Sequence, residues 1–174
     1  QLTMFPDGLT TGRIMTNAGK TRSYGAEVTL NYKPAERLEL NASYGYTNAK
    51  FREFNDGIHD FSGKYIPYAP HNTFFAGATY RQPIKASWLD HVAVDVNCRG
   101  VGDIMWDEAN SVKQPFYALV GASVRLEHER YSVTFWGENL TDTKYNTFYF
   151  VSIGNTFLQR GKPLRIGATV RMQF

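Results

Sequence analysis

The chain has 174 residues, enough for one ordinary domain, with 20% charged and 15% aromatic residues. The aromatic load, mostly 11 Tyr and 12 Phe, excludes a disordered chain, and a net charge of +3 without a basic cluster argues against nucleic-acid binding. Cys98 is the only cysteine, which excludes an internal disulfide and a Cys-based metal site.

In chain order, the N-terminus carries a partial strand. Alternation then sets in: Tyr24, Ala26, Val28, Leu30 and Tyr32 are apolar, with Ser23, Gly25, Glu27, Thr29 and Asn31 between them. Side chains on a strand point alternately to opposite faces, so this is one greasy and one wet face. Lys33-Pro34-Ala35-Glu36 reads as a tight turn, with Pro34 ending the ladder. The pattern returns at Leu38, Leu40, Ala42, Tyr44 and Tyr46, then at Phe74, Ala76, Ala78 and Tyr80. It recurs from Val92 to Cys98, from Phe116 to Leu126, from Tyr131 to Phe135, and from Leu164 to the terminal Phe174. This gives about eight strands and almost no helix.

The connections differ in length. Lys33–Glu36 and Glu127–Arg130 are short, Gln82–Asp90 is intermediate, and Asn55–Lys64, Asp103–Gln114 and Thr147–Lys162 are long. Short turns on one side and long loops on the other are the asymmetry of an outer-membrane β-barrel, periplasmic and extracellular respectively. With Phe174 at the periplasmic end, every short turn falls on that side. A strand of ~14 residues, tilted near 45°, rises about 33 Å along the membrane normal, enough to cross the ~25 Å apolar band. Mean hydropathy is −0.39, and no apolar run approaches the ~18 residues of a membrane helix. Neither fact bears on a barrel, whose strands are polar at every second residue. The first residues have neither the basic start nor the apolar core of a signal peptide. A start without Met and in a strand-like pattern favours a piece of a longer protein.

Several segments resemble the barrel of TonB-dependent outer-membrane receptors, in its C-terminal portion. They are Asn17-Ala18-Gly19-Lys20, Ser23-Tyr24-Gly25-Ala26-Glu27, Leu38 to Tyr46, Gly63-Lys64-Tyr65-Ile66-Pro67-Tyr68-Ala69-Pro70, Glu138-Asn139-Leu140-Thr141-Asp142-Thr143-Lys144-Tyr145, and Phe174. The resemblance runs from about Gly12 onward. It implies that residues 1–174 are the last part of an antiparallel up-and-down transmembrane barrel of about 22 strands. It also implies an N-terminal plug domain in the lumen, TonB-energised uptake of a large scarce nutrient (ferric siderophore, haem, cobalamin or glycan), and a bacterial outer-membrane location. The implied partners are outer-membrane lipid, the plug and remaining strands, TonB through an N-terminal box, and the barrel-assembly machinery. Neither plug nor box is present in these residues. Met172 and Phe174 match the alternating apolar end read by the assembly machinery.

No catalytic arrangement, metal site or cofactor motif stands out. The four histidines, His59, His71, His91 and His128, lack metal-ligand spacing. Solvated loop polarity competes with ligand contact at His59 and Asp60, and at the acidic loop with Trp106 and Asp107; Tyr149 is a further candidate contact. Glu27, Arg99, Arg125, Arg165 and Arg171 are expected on the lumen face, where they pair across strands or dock the plug. Two other readings stay open: an autonomous eight-stranded outer-membrane protein, and a soluble β-sandwich binding module.

Overall fold

A computed structural model describes the backbone of residues 2–4 and 14–16, and residues 19–174 in full. Asn17 and Ala18, in the first resembling segment, lie outside the described residues. The strands are β1 (Leu2–Met4), β2 (Ile14–Thr16), β3 (Lys20–Ala35), β4 (Leu38–Glu53), β5 (Asn72–Ala86), β6 (Leu89–Val101), β7 (Ile104–Met105), β8 (Lys113–Gln114), β9 (Tyr117–His128), β10 (Tyr131–Glu138), β11 (Asn146–Ser152), β12 (Asn155–Arg160) and β13 (Arg165–Met172). No helix occurs among the described residues.

Seven of these strands form one antiparallel sheet in the order β13-β10-β9-β6-β5-β4-β3, an up-and-down meander. The expectation of about eight strands therefore becomes seven in the wall. Three separate two-stranded ladders, β1-β2, β7-β8 and β11-β12, make up the rest. The alternation predicted the wall because each apolar residue pairs with an apolar residue on the next strand. Val28 faces Tyr44, and Tyr44 faces Phe74. Ala78 faces Val96, Val96 faces Ala122, and Val124 faces Phe135, which in turn faces Ala168. Directly opposed residues share a face, so one apolar face runs unbroken across all seven strands.

Most of that face is open. Val28 is 67% exposed, Ile166 77% and Val170 72%. A soluble sandwich would cover such a face with a second sheet, and the described residues supply none. Exposed Tyr32, Tyr80, Trp88 and Tyr131 gather toward the short-turn end, and Tyr24, Tyr46 and Phe116 toward the other. On β3, Tyr24 and Tyr32 are separated by about 27 Å along the strand, or about 19 Å along the normal at 45°. Two aromatic belts flank an aliphatic band, as lipid and its interfaces require.

The short turns are shorter than the sequence suggested. Glu36-Arg37, Ser87-Trp88 and Glu129-Arg130 each join two long strands. Pro34 does not end its ladder. It sits in a register irregularity between Tyr32 and Ala35, where a bulge takes up a residue that has no N–H to donate. Pro83 precedes a similar irregularity before Ala86, so the connection at 82–90 tightens to a turn. All three turns lie at one end of the sheet, the end where β13 finishes.

Candidate ligand-binding mouth

At the opposite end of the sheet, three long connections interlock: residues 54–71, residues 102–116 with the β7-β8 ladder, and residues 139–164 with the β11-β12 hairpin. Buried hydrophobic residues concentrate here. Phe51 is 2% exposed, Phe54 5%, Trp106 5% and Ile104 9%. An open sheet has no interior of its own, so packing against the loops supplies one.

Short polar side chains shape the first loop. Asn55 Oδ1 accepts from the Gly57 amide, Asp56 Oδ1 from the Ile58 and His59 amides, and Asp60 Oδ1 from the Ser62 amide. These are Asx turns, in which a side-chain oxygen replaces a backbone acceptor. The Ser62 hydroxyl and amide hold the Asp60 carboxyl below its ordinary pKa. Asp60 is therefore a turn former in this structure, and the neighbouring His59 stands exposed, its Nδ1 3.7 Å from Asp56 Oδ2.

Asp107 plays the same part in the second loop. It accepts from the Ser111 hydroxyl at 2.6 Å and from the Ser111 and Val112 amides. Asn110, in the left-handed region at φ 56°, ties the two loops together. Its side chain accepts from the Tyr65 amide at 2.7 Å and donates to the Tyr65 carbonyl at 2.9 Å. Below it, the Tyr65 ring packs against His71 in a tilted geometry at 4.0 Å, and Lys50 Nζ lies 4.4 Å from the Tyr65 centroid. Burial lowers the His71 pKa, against the opposing pull of the Asp103 charge.

The third connection is clamped at its stem. Asn139, 5% exposed, donates to the carbonyls of Thr143 and Lys162 and accepts from the Thr143 amide. Asp142 Oδ1 accepts from the Leu164 amide. Asn139-Leu140-Thr141-Asp142 thus joins the two ends of a loop that are distant in sequence. Buried Gln114 reaches across from β8, its Oε1 accepting from the Asn146 amide at 2.9 Å.

Tyr68 is where the three loops meet. Its amide donates to the Met105 carbonyl, and its hydroxyl donates to the Tyr149 carbonyl at 2.8 Å. Its ring lies 5.5 Å from Trp106 and stacks on Phe148, also at 5.5 Å. Phe148 continues to Phe150, which stacks on Phe157 at 4.8 Å. Tyr68 holds φ 64°, a conformation costly for a bulky residue that persists only where surrounding contacts fix it. It is nevertheless 46% exposed. The arrangement offers a rigid aromatic surface at the mouth of the wall, suited to a flat, partly apolar ligand with hydrogen-bonding edges.

Of the predicted contacts, Trp106 is buried beneath Tyr68, and Tyr149 enters through its backbone carbonyl. His59, Asp60 and Asp107 lie in the same layer of loops. Tyr68, Phe148, Phe150 and Phe157 were missed. The alternation of Phe148 and Phe150 with Thr147 and Tyr149, followed by Gly154-Asn155, was the available sign of a hairpin. Among the described residues no cluster of three or more His, Cys, Asp or Glu could hold a metal ion.

Glu27, Arg99, Arg125, Arg165 and Arg171 lie on the face opposite the apolar one. Register places Glu27 opposite Gly45, Arg99 opposite Phe75 and Leu119, and Arg171 opposite Ser132. Arg165 pairs with Glu138 across strands, and Arg125 with Glu127 along β9 at 3.3 Å.

A family model described as TonB dependent receptor-like, beta-barrel, matches residues 2–140. The chain belongs to the TonB-dependent receptor family. It is 30% identical over 135 residues to the ferrioxamine receptor of Yersinia enterocolitica, covering 74% of this chain and 18% of that protein. It is 23% identical over 168 residues to the pesticin receptor of Yersinia pestis, covering 93% and 23%. Among solved structures, the ferric yersiniabactin uptake receptor of Yersinia pestis superposes with a TM-score of 0.79 at 19% identity, covering 91% of this chain and 24% of the other. The ferric preacinetobactin receptor of Acinetobacter baumannii gives 0.70 at 21%, covering 93% and 23%. This TonB-dependent receptor chain is an outer-membrane β-barrel wall, and its relatives are receptors rather than enzymes. It spans about a quarter or less of the length of these relatives.

Proposed function

We propose that residues 1–174 are the C-terminal part of the barrel of a receptor that takes up a ferric siderophore. A plug domain fills the lumen, and TonB supplies the energy. The wall contacts lipid through its apolar face, and Met172 and Phe174 form the end that the barrel-assembly machinery engages. The three loops around Tyr68 capture the ligand, with His59, Asp60, Trp106, Asp107 and Tyr149 in or beneath the same surface. The observation that carries this reading is the aromatic hub at Tyr68, held in a strained backbone by contacts from three loops and still open to solvent. The relatives support the ligand class: the named ligands among them include ferrioxamine, ferric yersiniabactin and ferric preacinetobactin.

The test is binding of a panel of ferric siderophores to the full-length parent receptor in detergent. The bound member should lose roughly 10- to 100-fold in affinity in Tyr68→Ala, the range of an aromatic hot spot worth about 1.4–2.7 kcal/mol. Tyr68→Phe keeps the ring and loses the bond to the Tyr149 carbonyl, so its loss should be smaller. Unchanged affinity in Tyr68→Ala would remove the mouth from the ligand site.

A further inference from the structure

His71 closes the first long loop, directly before β5, and its backbone is pinned from two sides. Its amide donates to the Asp103 carbonyl at 3.1 Å, and its carbonyl accepts from the Thr47 amide at 2.9 Å. The imidazole is thereby held against the Tyr65 ring, 4.0 Å away between centroids. Its Nε2 is buried and has no hydrogen-bond partner among the described residues. Charged groups surround the pair. Lys50 of β4 holds its Nζ 4.4 Å from the Tyr65 centroid. Lys113 of β8 is ion-paired with Asp103 of the second loop at 3.2 Å. Both Asp103 oxygens are engaged, Oδ2 by that ammonium and Oδ1 by the Phe116 amide. Tyr65 is also the residue by which the second loop grips the first, through its two bonds with Asn110.

We propose that His71 is a proton-operated latch between the first and second loops: neutral, it seats Tyr65 and keeps the loops joined, and protonated, it displaces Tyr65 and frees the joint. In the neutral ring one nitrogen is an acceptor, and leaving it unpartnered is a modest cost. Protonation turns Nε2 into a donor that faces no acceptor and places a charge where water is excluded. It also sets a second cation beside a ring that already carries Lys50, with Lys113 close by. Asp103 attracts the imidazolium, but its oxygens already serve Lys113 and Phe116. Because the His71 backbone is pinned, Tyr65 is the partner that moves. Burial lowers the His71 pKa below its ordinary 6.5, with Lys113 and Lys50 acting in the same sense and Asp103 against them. The open joint therefore binds the proton more readily than the closed one. Closure is complete above about pH 6.5 and is lost as the pH falls below it. Tyr65 and Tyr68 share one loop, so acid would loosen the mouth; that consequence alone rests on the reading of the mouth as a capture site.

The test is hydrogen exchange of the Tyr65 amide, whose acceptor is Asn110 Oδ1, in the full-length receptor in detergent without siderophore. Mass spectrometry with electron-transfer fragmentation reads the single amide. Dividing by the unfolded rate at the same pH removes the acid dependence of the exchange chemistry. The protection factor should fall at least about threefold between about pH 7.5 and about pH 5 in wild type, since local opening sets it. It should stay flat in His71→Phe, which keeps a ring and cannot protonate. If His71→Phe does not assemble, judged by heat-modifiable migration, His71→Gln takes its place. Lys113→Gln removes a cation that opposes the proton, so the midpoint of the fall should move to higher pH. A flat wild-type profile, an equal fall in the assembled His71 variant, or a midpoint unmoved in Lys113→Gln overturns the proposal. The readout needs no ligand, so a receptor that binds no siderophore would leave the latch standing.

Discussion

Val28→Arg should block assembly of the full-length receptor, while Thr29→Arg, one residue along, should leave assembly near wild type. Val28 lies midway along the 16-residue strand β3 and is 67% exposed on the apolar face. An arginine on the lipid face near the bilayer midplane costs about 2–4 kcal/mol, or roughly 30- to 700-fold in the folded ratio. Thr29 pairs with Ser43 on the lumen face, where Arg99, Arg125 and Arg165 already reside. Heat-modifiable migration and outer-membrane yield measure the difference. Equal yields would invert or abolish the assignment of faces, since a one-residue slip moves every side chain to the other side.

Asn139→Ala should release the third extracellular loop. The side chain makes three hydrogen bonds at a site only 5% exposed, and it holds φ 50°, which Asn tolerates better than Ala. Removing it strands two carbonyls and an amide, for an expected cost of about 2–4 kcal/mol. The cost falls on the loop stem rather than on the wall, because both tethered segments, at Thr143 and Lys162, belong to the loop. Trypsin added to intact cells should cut at Lys144 or Arg160 at least about tenfold faster than in wild type, with assembly unchanged. Asn139→Asp keeps an acceptor and loses both donors, so it should fall between the two. An unchanged cleavage rate would show that the loop is held without the Asn139 tether.

The wall was legible in the sequence because its physics is local. Alternation along each strand fixes which residues face lipid, and the difference between short and long connections fixes which end is which. Pro34 misled the reading of strand length, because a bulge absorbs a proline without ending the ladder. The mouth was largely illegible. Tyr68, Trp106 and Phe148 lie in three different loops and meet only through the fold. Asp60 and Asp107 looked like free acids, but their oxygens serve neighbouring amides two to five residues on. The bond of Asn139 to Lys162, 23 residues away, could not be seen in the order of residues.

The measurement that bears most directly on the central claim is uptake of ⁵⁵Fe presented as a panel of ferric siderophores. Cells would lack their own siderophore receptors and carry the full-length parent receptor, with and without a working TonB. The expected result is accumulation of iron from at least one ferric siderophore, dependent on TonB and reduced in Tyr68→Ala at equal receptor level. A correctly assembled receptor that neither binds nor accumulates iron from any member of the panel, in either strain, would contradict the account.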